Sequence, residues 1–144
     1  MSPDVNVLVA AFERDHVHHP IARAWLLVAL ADCATGKRLL LLPMVCASFI
    51  RIVTHPRIFS QPASASAAAE FVDALLAIPG CEMLVVGSEW TAFSRLCTAK
   101  KLTGNAVQDA WIAMAARSHH AHLVTFDRDF TRLLDTHEFT LLAP

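Results

Sequence analysis

No apolar run in this 144-residue sequence reaches the ~20 residues that a membrane span needs. The longest, "LLLLPMVCASFI" and "AWLLVALADCA", are too short or are interrupted by Pro43 or Asp32, so no membrane segment is expected. A basic leader followed by an apolar stretch and a cleavage site is missing as well, which argues against export. The four cysteines, Cys33, Cys46, Cys81 and Cys97, show no C-x-x-C pairing and no tight spacing. Without an export signal they read as reduced, packed thiols in a cytoplasmic protein. A net charge of −1 excludes binding to nucleic acid through overall positive charge. There is no P-loop, no G-x-G-x-x-G and no nucleophile elbow, so a serine or cysteine nucleophile has no support. Internal repeats and linkers are also lacking.

What is present is apolar. Hydrophobic residues make up 55% of the chain, and the mean hydropathy is +0.44. Residues 1–144 fit a single domain, long enough to bury roughly 70% of the surface its unfolded form exposes. No metal or disulfide is needed merely to fold. A parallel sheet covered on both faces would explain the hydropathy, and so would an apolar surface reserved for a partner. Basic residues cluster only locally: Lys37 with Arg38, Arg51 with Arg57, Lys100 with Lys101. Such patches can track a phosphate backbone or serve as solvated surface.

Short β-like runs alternate with helical patterns. Strands are expected at "LLLL" (39–42), "EMLVV" (82–86), "HLVTF" (122–126) and "FTLLA" (139–143). Helices are expected at about 20–34, 44–54, 64–77, 89–101 and 106–118, the first with Pro20 near its opening and Gly36 past its end. This alternation predicts a three-layer α/β domain with a mainly parallel sheet. The opening "PDVNVL" is open to two readings. One is a strand from Asp4 to Val9 with Asp4 and Asn6 on one face. The other is a strand ending at Asp4 with a helix behind it.

Three carboxylates sit in unusual company. Asp4 lies in an apolar opening. Asp109, in "TGNAVQDAWIAMAA", falls a turn inside a helix and shares a face with Ile112, Ala113 and Ala116. Asp127 directly follows the strand-like "HLVTF". Each alone reads as a cap or a turn residue. A strand ending at Asp4, however, would put Asp4 and Asp127 on the sheet edge where open parallel sheets bind ligands, with Asp109 leaning over it. Carboxylates converging without a matching Lys or Arg need a cation, and hard oxygen ligands favour Mg²⁺ or Mn²⁺.

"PDVNVL", "GNAVQDAWIA" and "LVTFDRDF" resemble, in order and spacing, the acidic motifs of PIN-domain ribonucleases, and above all the small toxins of VapBC-type toxin–antitoxin pairs. "HHPIARAWL" and "LPMVCASFIRIVTHPRIF" resemble two further segments of those toxins, so the likeness covers essentially the whole chain. It implies that the first strand ends at Asp4 and a short helix follows. It also implies Asp4, Asp109 and Asp127 as the catalytic, metal-holding set, with Asn6 and Thr125 orienting carboxylates or phosphate. Many members of the family carry a Glu on the helix after the second strand, where this sequence has Ser48. No Glu or Asp occurs between Asp32 and Glu70 to replace it, so a single Mg²⁺, or a second one recruited with the substrate, fits better than two tightly held ions. The implied reaction is hydrolysis of an RNA phosphodiester to a 5′-phosphate and a 3′-hydroxyl. Its substrate would be an exposed loop of a structured RNA such as tRNA or rRNA. Arg51, His55 and Arg57 are candidates for contact with that RNA. The implied partners are a cognate VapB-type antitoxin, whose amphipathic helix would fill an apolar groove, and a second copy in a twofold homodimer.

Two histidine groups, His16/His18/His19 and His119/His120/His122, lack the spacing and nearby cysteines of a zinc site. Trp25, Trp90 and Trp111 lie in helical patterns and read as core or interface anchors. Two other readings compete. One, motivated by Ser48, is a catalytically weakened PIN module that only binds RNA or protein. The other is a metal-dependent phosphatase or phosphoacceptor of similar architecture.

Overall fold

A computed structural model of the chain describes residues 1–143. It runs β1 (Ser2–Pro3), α1 (Val5–Phe12), α2 (His19–Cys33), β2 (Leu39–Leu41), α3 (Pro43–Val53), α4 (Ala65–Leu76), β3 (Cys81–Met83), α5 (Trp90–Lys100), α6 (Asn105–Ser118), β4 (Leu123–Thr125) and β5 (Phe139–Leu141). A short 3₁₀ turn, Arg128–Arg132, lies between the last two strands. Local chemistry sets these limits. Proline, with no N–H to lose at a helix start, opens α3 as Pro43 and sits in the first turn of α2 as Pro20. The Ser64 hydroxyl caps α4 by accepting from Ala67 N–H at 3.0 Å. The expected helices are all present within a residue or two of their sequence limits, and the short helix after Asp4 is α1.

All strand pairing is parallel: β1 with β4, β4 with β5, and β2 with β3. Met1 joins the two groups, its carbonyl accepting from Leu40 N–H at 2.8 Å and its ammonium donating to Arg38 O at 2.9 Å. The spatial order is therefore β3-β2-β1-β4-β5. From β1 the chain leaves toward β2, whereas from β4 it leaves toward β5. The carboxyl ends of β1 and β4 thus flank the switch point, where open α/β sheets form a crevice. Asp4 N–H still donates to Val124 O at 2.9 Å, so the end of β1 is tied to β4 at the level of the crevice.

One expectation needs correction. The strand read at 82–86 is Cys81–Met83. Leu84 N–H makes the last bond, to Leu41 O. Beyond that the neighbouring chain has turned into α3 at Pro43, so Val85 and Val86 have no strand to pair with. Val85 is left 85% exposed.

Helix α1 is buried along Val7–Ala11 and packs on α2, α3 and β4. Phe12, Phe49 and Phe71 meet edge-on or tilted at 5.3–5.4 Å between ring centres. Leu8, Leu41, Phe49, Leu123 and Phe130 have no exposed surface. Each such side chain contributes about 1.5–3 kcal/mol of transfer free energy. That core holds both sides of the switch point rigid. No helix among the described residues is long and apolar enough to cross a membrane.

Candidate functional site

Asp4 ends β1 in an extended conformation and serves as the N-cap of α1, its Oδ1 accepting from Val5 N–H at 2.6 Å. Its Oδ2 accepts from Asn6 Nδ2 at 2.8 Å and from the Thr125 hydroxyl at 2.6 Å. Thr125 is wholly buried at the end of β4. Its oxygen also receives the Asn6 amide at 3.0 Å and Asp127 N–H at 2.9 Å. Asn6 Oδ1 accepts from Phe126 N–H at 3.1 Å, completing the bridge. Asp4, Asn6 and Thr125 are thus one hydrogen-bonded unit stitching the carboxyl ends of β1 and β4 together. The cap and the site residue are the same side chain: Asp4 starts the helix and also faces the crevice.

Asp109 comes from α6. Gly104, at φ +59°, makes the turn that starts this helix. Asn105, Gln108, Asp109 and Ile112 follow at helical spacing and line one cavity of about 540 Å³ together with Asp4 and Asp127. Asp127 caps the 3₁₀ turn, its Oδ1 accepting from Asp129 N–H at 2.8 Å. The opposite wall is α3, from which Ser48 and Arg51 reach the same space, Ser48 Oγ accepting weakly from Gln108 Nε2 at 3.5 Å.

The structure therefore gathers Asp4, Asn6, Asp109, Asp127, Ser48 and Arg51 on one cavity, with Thr125 directly behind it. It does not place His55 or Arg57 there. His55 Nδ1 accepts from Arg57 N–H at 3.1 Å and closes the turn after α3, while Arg57 is exposed. Two amide side chains that line the cavity, Asn105 and Gln108, are not among the residues the sequence singles out as site candidates. They lie four residues and one residue before Asp109, so its helical face was the signal for both. His16 also lines the cavity, and nothing in the sequence pointed to its meeting Asp4.

The carboxylates of this crevice are not in direct contact with a cation. None of the three aspartates forms an ion pair among the described residues. Burial raises the Asp4 carboxyl above its ordinary range despite three hydrogen bonds that oppose the shift, and the Asp127 charge adds to the rise. Burial, then the Asp4, Asp127 and Asp129 charges, push Asp109 up to about 6. The donor set is one of hard oxygens, which suits Mg²⁺ or Mn²⁺. Among the described residues no three His, Cys, Asp or Glu side chains are already close enough together to grip an ion. The aspartates line a common cavity and share a charge problem; they have not converged on a point.

A stability effect follows with a definite sign. Between 3.8 and about 6 the folded chain holds a proton on Asp109 that the unfolded chain has lost. Stability therefore falls as pH rises through that window. Glu138, held down to about 2 by Arg117, contributes a loss of stability as pH drops below its ordinary 4.5, which is the opposite slope. Comparing wild type with Asp109→Asn in chelator cancels that contribution. In urea melts the variant should match wild type near pH 4 and gain on it steadily up to the pKa of about 6. A gap that stayed constant with pH would show that the Asp109 charge is compensated after all.

Comparisons with known proteins agree on one family. Residues 1–134 match the model of the PIN domain. The chain is 37% identical over 132 residues to "Ribonuclease VapC31" of Mycobacterium tuberculosis, covering 90% of this chain and 89% of that one. It is 40% identical over 130 residues to "VapC ribonuclease Mb2897" of Mycobacterium bovis, covering 90% and 86%. A solved structure described as "VapBC2 from Rickettsia felis bound to a DNA fragment from their promoter" superposes with a TM-score of 0.59 over 92% of this chain and 91% of that one. At 20% identity it speaks for the fold alone.

Proposed function

This chain belongs to the PIN-domain family, among its VapC ribonucleases, and from that premise we propose that it is a Mg²⁺- or Mn²⁺-dependent endoribonuclease toxin of the cytoplasm, acting on a loop of a structured RNA. The observation that carries this reading is the crevice at the switch point. There Asp4, Asp109 and Asp127, drawn from three separate elements, line one cavity and form no ion pair among the described residues.

A divalent ion bound by these carboxylates would make water more nucleophilic and neutralise charge growing on the phosphate. Asp4 is the fixed anchor, because the Val5 amide, Asn6 and Thr125 hold both of its oxygens. Asp109 is the adaptable one, half-buried and without a side-chain hydrogen bond among the described residues. Asp127 keeps one oxygen on the Asp129 amide, and its other oxygen is available to orient water in line with the scissile bond. Attack at phosphorus breaks the bond to the 3′-oxygen, leaving a 5′-phosphate and a 3′-hydroxyl. Arg51, on the rim, is the one arginine among the described residues that line this cavity and is placed to receive the anionic backbone. With Ser48 rather than a carboxylate on α3, the set suits a single tightly held ion.

The partners proposed are a VapB-type antitoxin and a second copy of the chain. Leu27 and Val28 on α2 are 54% and 60% exposed, and Val85 and Trp90 are 85% and 66% exposed. Apolar side chains this open suit coverage by other chains.

The test is cleavage. The purified chain, freed of any partner, should cut structured RNAs with Mg²⁺ or Mn²⁺ and stop in EDTA. Failure across a broad panel of such RNAs would overturn the reading. The neutral Ser48 favours a second reading, a module that binds without cutting. Asp4→Asn separates the two, because cellular toxicity that persisted in this variant would favour binding alone.

A further inference from the structure

A second cavity, of about 850 Å³, opens beside the first, and His16 and Phe59 line both. Its apolar lining is mainly aromatic, Phe12, Phe59 and Phe71, with Ala11 and Val17 beside them. Its rim carries Arg14 and Arg23, exposed and in no ion pair among the described residues. Glu13 and Asp15 stand on the same rim. Two carboxylates offset two guanidiniums, so the cavity does not attract polyanions through net charge. It offers separate parts instead: an apolar aromatic surface, cationic forks, and acceptors of a kind that pair with exocyclic amino groups.

The segment that forms this rim is held in place. Between α1 and α2, His16 N–H donates to Glu13 O and His19 N–H to His16 O. His19 Nδ1 sits 2.8 Å from Ala10 O. The His18 ring stacks on Phe126, next to Asp127, at 4.6 Å between ring centres and 14° between planes. His16 Nδ1 accepts from His18 N–H at 3.1 Å, so the neutral ring carries its proton on Nε2 and keeps that donor free. The rim is therefore set at a fixed place relative to the aspartates, as a site that reads a specific group requires.

We propose that this second cavity is a nucleotide subsite: it takes an unpaired nucleotide next to the scissile phosphate, the base against Phe59 and the backbone on Arg23 and Arg14. The inference rests on the ribonuclease reading and adds to it where the RNA lies and what selects it. Unpaired bases are recognised by aromatic faces and polar edges together, and a volume of this size falls within the range of small-molecule sites. His16 stands between the two cavities and is the natural monitor of the sugar–phosphate link that joins them.

The test uses stem–loop RNAs with a randomised loop, bound to the full chain in EDTA so that nothing is cut. Each lost phosphate contact lowers the slope of log affinity against log salt by about 0.7 on a single strand. Arg23→Gln should weaken binding and show that smaller slope. Phe59→Ala should weaken binding about tenfold and leave the slope unchanged, with Phe59→Trp restoring affinity. Arg23 is exposed and safe to replace, so the proposal remains testable even if Phe59→Ala folds poorly. In cleavage assays with Mg²⁺ the Arg23→Gln effect should fall on KM rather than kcat. Wild-type affinity and slope in both variants would overturn the subsite. So would variants that bind RNA normally but escape inhibition by the antitoxin, since the groove would then belong to a protein segment. A wild-type chain that neither binds nor cuts RNA sinks the ribonuclease reading first and the subsite with it.

Discussion

Asp109→Asn should abolish RNA cleavage while making the chelated protein more stable at neutral pH. The two effects have one cause. Asp109 is half-buried among like charges, and its carboxyl is pushed up to about 6. At neutral pH, without a cation, folding must carry an ionised group that its surroundings disfavour. The neutral isostere removes that strain, for a gain on the order of 1 kcal/mol after discounting for its exposure to solvent. On the proposed function the same change would also take a carboxylate from the coordination of the divalent ion. With it go several kcal/mol of charge stabilisation in the transition state, a loss of about a thousandfold or more. Thermal melts and cleavage assays on the same preparation check both halves. A variant that is inactive and also less stable in chelator would mean that Asp109 has a structural partner instead of a catalytic duty.

Thr125→Val should act in the opposite way, losing activity and stability together. The hydroxyl donates to Asp4 and accepts from both the Asn6 amide and Asp127 N–H. Valine keeps the shape, removes one bond each from Asp4 and the Asn6 amide and leaves the Asp127 N–H without its partner, at about 1–3 kcal/mol. The Asp4 carboxylate then loses its side-chain tether to β4, while the backbone bond to Val124 remains. Groups that orient a metal ligand are worth about 10–100-fold in affinity or activity. The expected signature is a higher concentration of Mg²⁺ for half-maximal cleavage, with Thr125→Ser restoring most of it. An unchanged Mg²⁺ requirement would demote the tether to a packing feature.

Much of this arrangement can be read from residue order. Pro20, Gly36, Pro43 and Ser64 mark helix ends by chemistry that acts within a few residues, so the helices fall where the sequence puts them. The three aspartates stand out because each sits at an element boundary in apolar company. What local pattern cannot supply is the partner across space. "EMLVV" has the composition of a five-residue strand, yet pairing stops at Leu84 because β2 has already turned into α3. The motif containing Arg51, His55 and Arg57 suggests three equivalent basic contacts. Backbone geometry separates them, turning His55 inward onto the Arg57 amide and leaving only Arg51 on the cavity. Asp4 was open between helix cap and site residue as a matter of sequence. The fold makes it the helix cap and also places it on the crevice, because the N-cap position directly follows β1 at the switch point. His16 stands out locally only as one of a histidine group, since its place between the two cavities depends on how the α1–α2 turn docks on the end of β4.

The central claim is that Asp4, Asp109 and Asp127 jointly hold one divalent ion. Crystals of the wild-type chain grown with Mn²⁺, measured for anomalous scattering, test it most directly. The account predicts one strong peak in the crevice with carboxylate oxygens of Asp4 and Asp109 at about 2.1 Å, lost in Asp109→Asn. A crevice with no peak at saturating Mn²⁺, or a peak that survives unchanged in that variant, would contradict it.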